Sequence, residues 1–279
     1  MTERVNSNLI DKVRQLVTAR NPEQAWVIDN LAFLHVGGST LYGTNTADSD
    51  LDIRGVTIAP KSFWVGARTF EQLECAITEE NVEVVIFDVR KWLRLAVAVN
   101  PNVVETLFVD DDSPCTLLTT DRWRYIRGEA RALLNQRAHA GYHGYATSQL
   151  KKMIVKQSNK SGRREIAEAL GFDLKFAAHG FRLARQGAEL LRTGSITFPR
   201  PDREHLSAIR YGKVYGPDDI DRCVADLSAA TQELDQAFLE TVLPAKADFE
   251  RYDRLLVYIY ENYVAGGRTR PTRTQPETI

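Results

Sequence analysis

Long apolar runs are missing from this 279-residue chain. None approaches the ~18 residues a membrane-spanning helix needs, and no signal-peptide pattern opens it. Cysteine is scarce as well. Cys75, Cys115 and Cys223 are odd in number and lack C-x-x-C spacing, which speaks against a structural zinc site and for a reducing compartment. Excess charge is absent too: 36 basic against 37 acidic residues leave a net −1, which excludes a polycation built for indiscriminate nucleic-acid binding. There is no G-x-x-x-x-G-K-[ST] loop for phosphates, and the i, i+4 pair His139/His143 encloses Ala, Gly and Tyr rather than the glutamate of H-E-x-x-H. No local Ser/His/Asp or Cys/His arrangement is recognisable. These absences leave a soluble cytoplasmic protein of one large domain or two smaller ones as the expectation.

What is present concentrates in residues 36–55. The apolar run Leu31-Ala32-Phe33-Leu34 leads to a small-residue corner, Gly37-Gly38-Ser39, followed by Tyr42, Gly43 and then Asp50 and Asp52. Two glycines let the backbone approach a ligand closely or take positive φ, and Ser39 suits a helix N-cap whose free N–H groups face an anion. On an extended strand Asp50 and Asp52 project to the same side. Two such charges about 5 Å apart repel by roughly 3 kcal/mol at an effective dielectric near 20, a cost that a divalent cation removes. A D-x-D alone decides nothing, because Asp48/Asp50, Asp110/Asp112 and Asp219/Asp221 also occur. The Gly-Gly-Ser corner upstream sets Asp50/Asp52 apart and suggests a site for a metal-bound nucleoside triphosphate.

Around this stretch the pattern predicts an amphipathic helix over 4–19, a first strand within Trp26–Val36, a second over Asp52–Ile58 and a third over Val82–Val89. Pro60–Gly66 reads as a loop able to move over the site. Helices are expected over Arg90–Val99 and from Pro101, with a boundary at the acidic, proline-ended run Asp110–Pro114. From about residue 116 the periodicity is helical: Trp123–Arg137, Tyr142–Gln157, Arg163–Leu170, Phe172–Thr193, Ile220–Leu243 and Phe249–Val264, with Gly194 placed as a C-cap. Lys175, His179 and Arg182, at i, i+4 and i+7, share one helix face, and Arg185 extends the row. A second basic group, Lys151, Lys152, Lys156, Lys160, Arg163 and Arg164, surrounds a Ser-Asn-Lys-Ser-Gly loop and suits nucleic-acid phosphates, with Tyr142 and Tyr145 nearby for stacking.

Residues 38–52 resemble the G-S-x-x-x-G…S-D-x-D signature of the DNA polymerase beta-like nucleotidyltransferase superfamily. Gly38-Ser39 match the G-S pair, Gly43 the next glycine, and Ser49-Asp50-Leu51-Asp52 the S-D-x-D. The superfamily carries a third carboxylate on a later strand. Glu83 in Val82-Glu83-Val84 fits best, and Asp88 is the competing candidate. An Asp would be expected there, so glutamate keeps the charge on a longer arm. Asn100-Pro101-Asn102…Glu105…Leu107-Phe108, Gly144-Tyr145…Gln149-Leu150-Lys151-Lys152, the run Gly171–His179, and Ile209–Lys213 resemble more narrowly a bacterial and phage subfamily that includes an RNA-ligase-associated, RNA-repair group. The likeness spans roughly residues 30–215.

This resemblance implies an α+β (α/β) architecture. A small mixed-sheet catalytic domain would occupy 1–115, a helical substrate- and nucleotide-binding domain 116–265, and a disordered tail 266–279. It implies a nucleotidyltransferase in which Asp50, Asp52 and Glu83 bind Mg²⁺ (or Mn²⁺) and carry catalysis. Gly38, Ser39, Lys175, His179 and Arg182 would hold ATP or another nucleoside triphosphate, and Lys151, Lys152 and Lys156 would touch nucleic acid. The implied acceptor is an RNA 3′ end, plausibly tRNA, with an RNA ligase as a possible partner. A protein hydroxyl, a small molecule, or a non-catalytic nucleotide- or RNA-binding module are the alternatives.

Overall fold

A computed structural model describes residues 2–47, 49–77, 81–155 and 172–265. The expected helix Arg163–Leu170, the basic loop with Lys156, and the tail 266–279 lie outside the described residues. Among the described residues no helix is long and apolar enough to cross a membrane.

A five-stranded mixed sheet holds the first half. Its strands are β1 (Leu31–Val36), β2 (Leu51–Thr57), β3 (Gln72–Ile77), β4 (Val82–Asp88) and β5 (Thr116–Thr119), in the order β3-β4-β2-β1-β5. Only β2 and β4 run parallel; the other pairings are antiparallel. Parallel neighbours need a crossover, and here it is made by residues 58–71 together with the edge strand β3. β1 is buried along its whole length, as a near-continuous apolar run requires when both faces are covered. β4 alternates: Val82, Val84 and Ile86 are buried, whereas Glu83, Val85 and Phe87 face the other way. Helix α1 (Thr2–Arg20) reaches both edge strands and buries Val13 and Val17.

Two sheet strands, β3 and β5, were not expected. β5 falls just past the proposed 115/116 boundary, so the sheet continues into the stretch expected to be helical. Its four residues are too short for a visible period. Residues 26–29 form a helical turn, α2, before β1 begins at Leu31. The Pro60–Gly66 segment is not a free lid. It starts with a 3-10 turn, Lys61–Phe63, and Trp26 meets Phe63 at a tilt and Phe70 edge-on, each with centroids 4.8 Å apart. Three half-buried aromatic rings in contact anchor such a loop to the body of the domain.

Short helices α3 (Gly38–Tyr42), α4 (Val89–Val97) and α5 (Pro101–Val104) follow β1, β4 and the Asn100 cap. Asp88 is the N-cap of α4: its Oδ1 accepts from the Arg90 backbone N–H at 3.1 Å and from Arg90 Nε at 2.7 Å. The remaining helices are α6 (Asp121–Arg131), α7 (Arg137–Val155), α8 (Leu174–Thr193), α9 (Arg203–Arg210), α10 (Ile220–Leu239) and α11 (Phe249–Ile259). The expected helix through Arg137 stops at Arg131 because buried Asn135 turns inward. Its Nδ2 donates to Val97 and Leu133 carbonyls, and its Oδ1 receives the Arg137 N–H that starts α7. Gly194 ends α8 at φ 70°. Helices α7 and α8 pack closely at Gly187, where a Cβ would lie 2.6 Å from that of Tyr142.

Replacing Asp88 by Ala removes a helix cap and the acid paired with Arg90, which keeps its bond to the Phe63 carbonyl and its place over Trp64. Urea unfolding is expected to show a loss of about 1–2 kcal/mol, with nucleotide turnover retained. Lost turnover at unchanged stability would instead make Asp88 the third catalytic acid.

Candidate active site

The β2/β4 register sets the site. Asp52 and Glu83 are directly paired across the parallel strands, and Arg54 pairs with Val85. Because side chains alternate, Asp52, Arg54 and Glu83 share one sheet face. The Arg54 Nη2 donates to Asp52 Oδ1 at 3.2 Å and to Glu83 Oε1 at 3.0 Å, so one guanidinium nitrogen bridges both carboxylates. Asp50 lies just before β2 and lines the same cleft. Burial pushes the Asp52 carboxyl above the usual range; Arg54 opposes this, Glu83 and Asp50 add to it, and Lys175 pulls it back. A partly buried carboxylate beside two others is an arrangement that favours a bound cation.

The glycine turn is docked on Asp52. The Gly37 N–H donates to the Asp52 carbonyl at 2.7 Å, and Gly38 has φ +57°. A Cβ on Gly38 would stand 1.9 Å from Asp52 Oδ2, so only glycine leaves room for that carboxylate. The N-cap of α3 is Gly37 rather than Ser39, which sits in the first turn beside Asp50 and Asp52 in the cleft lining.

A cleft of about 490 Å³ separates this face from α8 and α9. Lys175, His179 and Arg182 line its far wall, with Arg210 of α9 beside them. The expected basic row is therefore on one face, but its members differ. Arg182 is buried, and its Nη1 donates to Glu105 Oε1 and Gln186 Oε1, both at 2.7 Å. Its guanidinium carbon lies 4.1 Å from the Tyr42 ring centroid, and Tyr42 Oη donates to Glu105 at 2.8 Å. Arg182 thus braces the wall rather than offering its charge to a phosphate. Arg185 leaves the row to pair with Asp202 at 3.1 Å. Lys151 and Lys152 are exposed near the end of α7, whose Met153 carbonyl meets the Asp173 N–H at the start of α8. His139 contacts Asp235 at 2.7 Å.

Two residues escaped the sequence reading, Arg54 and His35, and Glu105 entered it only as part of the subfamily resemblance, without a role. Arg54 continues the Asp50/Asp52 alternation by one step, a signal that was available. His35 is visible only through the register, which pairs it with Arg54. Among the described residues no group of three or more His, Cys, Asp or Glu side chains converges as a ready metal cage. The donors nevertheless fit Mg²⁺, which typically takes one or two carboxylates and completes its shell with phosphate oxygens and water. Asp52 and Glu83 already share a cation, and Gly38 leaves Asp52 open toward the turn.

His35 is fully enclosed, its Nδ1 meets the Val36 carbonyl at 3.1 Å, and burial together with Arg54 lowers its pKa to about 4. The unfolded chain therefore binds a proton near pH 6.5 that the folded chain refuses until about pH 4. Stability should fall as pH drops through that window, by about 3 kcal/mol in all. Chemical unfolding of wild type and His35→Gln at pH 7, 6 and 5 should show the slope flattened in the variant.

Comparison with known proteins places this geometry in a family. The chain matches the RNA repair pathway DNA polymerase beta family over residues 5–214. An uncharacterized 38.9 kDa protein from the nrdC-mobD intergenic region of Enterobacteria phage T4 is 22% identical over 140 residues, covering 48% of this chain. That match spans only 41% of the phage protein's length. A nucleotidyltransferase-like protein from Exiguobacterium sibiricum, known from its crystal structure, is 10% identical over 93% of this chain and 81% of its own, with a TM-score of 0.28. That structural likeness is too remote to support any inference. The family match extends over most of the chain and includes both walls of the cleft: this protein belongs to the RNA repair pathway DNA polymerase beta family.

Proposed function

We propose that the protein transfers a nucleoside monophosphate from a triphosphate, ATP or another, to the 3′ hydroxyl of an RNA, tRNA-like in its end, with release of pyrophosphate. The observation that carries this is the bridged pair Asp52/Glu83, held in register on one sheet face opposite Lys175 and His179. Asp50, Asp52 and Glu83 would hold Mg²⁺, with Mn²⁺ as a substitute; the ion supplies charge neutralisation at the α-phosphate and orientation of the attacking hydroxyl. Glu83, the most exposed of the Asp52–Arg54–Glu83 group, accepts the proton of that hydroxyl. Gly38 and Ser39 receive the β- and γ-phosphates through backbone N–H groups and the serine hydroxyl. Lys175 and His179, on the facing helix, balance the charge of the departing pyrophosphate, while Arg182 fixes that helix against Tyr42.

The family's place in RNA repair favours RNA as acceptor, and such a step would prepare an end for an RNA ligase. Lys151 and Lys152 are the described cations of the basic group outside the cleft and would meet the acceptor's phosphates, with Lys156 continuing the group beyond the described residues. Phosphate contacts of this kind position a strand without reading its bases. The proposed division into a catalytic unit, 1–115, and a helical binding unit, 116–265, moves past β5 to residue 119, because that strand belongs to the sheet.

The test is incubation with α-labelled nucleotides, Mg²⁺ and total tRNA. Label is expected on RNA, lost with EDTA, and reduced more than about a hundredfold in Asp52→Asn and Glu83→Gln, the scale for removing a group that stabilises transition-state charge. Label on protein would redirect the acceptor. Tight nucleotide binding without pyrophosphate release would reduce the chain to a binding module.

A further inference from the structure

Arg54 is out of place in a pair of carboxylates meant for a metal ion. Its Nη2 stands between Asp52 Oδ1 and Glu83 Oε1, within hydrogen-bond distance of both, where a cation shared by the two acids would have to be. A guanidinium brings one positive charge to two negative ones, whereas a divalent ion brings two and can also take phosphate oxygens. The two cations therefore compete for one seat.

A second seat for Arg54 exists beside the first. His35 and Arg54 are register partners on the antiparallel strands β1 and β2. The His35 Nδ1 is engaged with the Val36 carbonyl, so Nδ1 carries the hydrogen and Nε2 is left an acceptor. That Nε2 is buried, lies in a residue lining the cleft, and has no hydrogen-bond partner among the described residues. A buried acceptor without a donor is costly and uncommon. Gly37 leaves the space between the two side chains open: a Cβ there would lie 3.2 Å from Arg54 Cγ and 3.5 Å from His35 Cε1. From Cγ the guanidinium has reach enough to turn across this slot.

We propose that Arg54 is an exchangeable cation: it neutralises Asp52 and Glu83 before a nucleotide arrives, yields to the divalent ion accompanying the triphosphate, and turns to donate to His35 Nε2. This rests on Asp52 and Glu83 being metal-binding acids, as proposed above. Its consequence is selectivity for the loaded substrate. A bare divalent ion must displace Arg54 unaided, whereas one arriving with a triphosphate is also held through the phosphates by Lys175 and His179 across the cleft, which offsets the cost of the displacement.

Mn²⁺ binding, followed by electron paramagnetic resonance on wild type, Arg54→Gln, Arg54→Lys and Asp52→Asn, separates the possibilities. Without nucleotide, Arg54→Gln should bind Mn²⁺ at least about tenfold tighter than wild type, with Arg54→Lys between them, because the competing charge is removed or carried on a shorter arm. Asp52→Asn should lose Mn²⁺ binding. Unchanged or weaker binding in both Arg54 variants, with loss in Asp52→Asn, overturns the exchange while leaving the metal assignment standing. Retained Mn²⁺ binding in Asp52→Asn defeats the metal assignment itself. In ¹⁵N-histidine-labelled wild type, Mg²⁺ with a non-hydrolysable triphosphate should move the His35 Nε2 resonance, and Arg54→Gln should not show that movement. A wild-type Nε2 that stays put overturns the second seat. Thermal unfolding of each variant confirms that a folded protein is being compared, and Arg54→Lys carries the test if Arg54→Gln does not fold.

Discussion

Everything at this site follows from two acids being brought side by side by a backbone that gives them no choice. Asp52 and Glu83 are Cα partners on parallel strands, and each sits where the alternation sends it to the cleft face. Repulsion between such neighbours is tolerable in water and expensive in a half-buried groove. The surrounding residues are arranged accordingly: Arg54 bridges the pair, Lys175 lies near enough to pull the Asp52 carboxyl downward, and Gly38 leaves open a side of Asp52 that any other residue would fill. A half-buried pair of acids that draws this much positive charge around it is the arrangement on which the proposed metal site rests.

The second constraint is mechanical. Glu105 accepts from Tyr42 on the glycine turn and from Arg182 and Gln186 on α8, all of them buried. Removing one partner from such a group strands a charge in the interior, which typically costs about 3–5 kcal/mol. The cluster is therefore hard to open piecemeal. It fastens the glycine turn and the basic helix to one another, so the two walls of the cleft are tied at its floor by Tyr42, Glu105 and Arg182. This brings the Asn-Pro-Asn…Glu segment to the cleft despite its distance from the glycine turn in the sequence.

Local chemistry was legible in the sequence and pairing was not. The glycine-serine corner, the acids at 50 and 52, and the shared face of Lys175 and His179 follow from residue type and period, and they gather around one cleft. Glu83 could be preferred to Asp88 only by its apolar neighbours; the structure shows the physical difference, since Asp88 caps α4 and is buried against Arg90. Arg182 looked like its neighbours because a helical period says which face a side chain takes, not whether an acid waits there. β5 escaped notice because four residues show no period, whereas in β3 buried Leu73 and Cys75 alternate with exposed Glu74 and Ala76, a signal that was available. His35 hides inside an unbroken apolar strand, and its meaning lies in a register no single strand can reveal.

The charge distribution across the cleft also orients whatever enters. One wall carries Asp50, Asp52 and Glu83, the other Lys175, His179 and Arg210. On the proposed chemistry a polyphosphate meets the acids through a metal and the helices directly, so its tail would lie toward the glycine turn and α8 and its reacting phosphate over the carboxylates. Glu83 is half exposed and sits toward the β3 edge, whereas Asp52 is closed in by Gly38. On the proposed chemistry the acceptor hydroxyl then approaches past Glu83, the more exposed of the paired acids. A glutamate there, one methylene longer than aspartate, can follow an incoming strand while still reaching back to share a cation with Asp52.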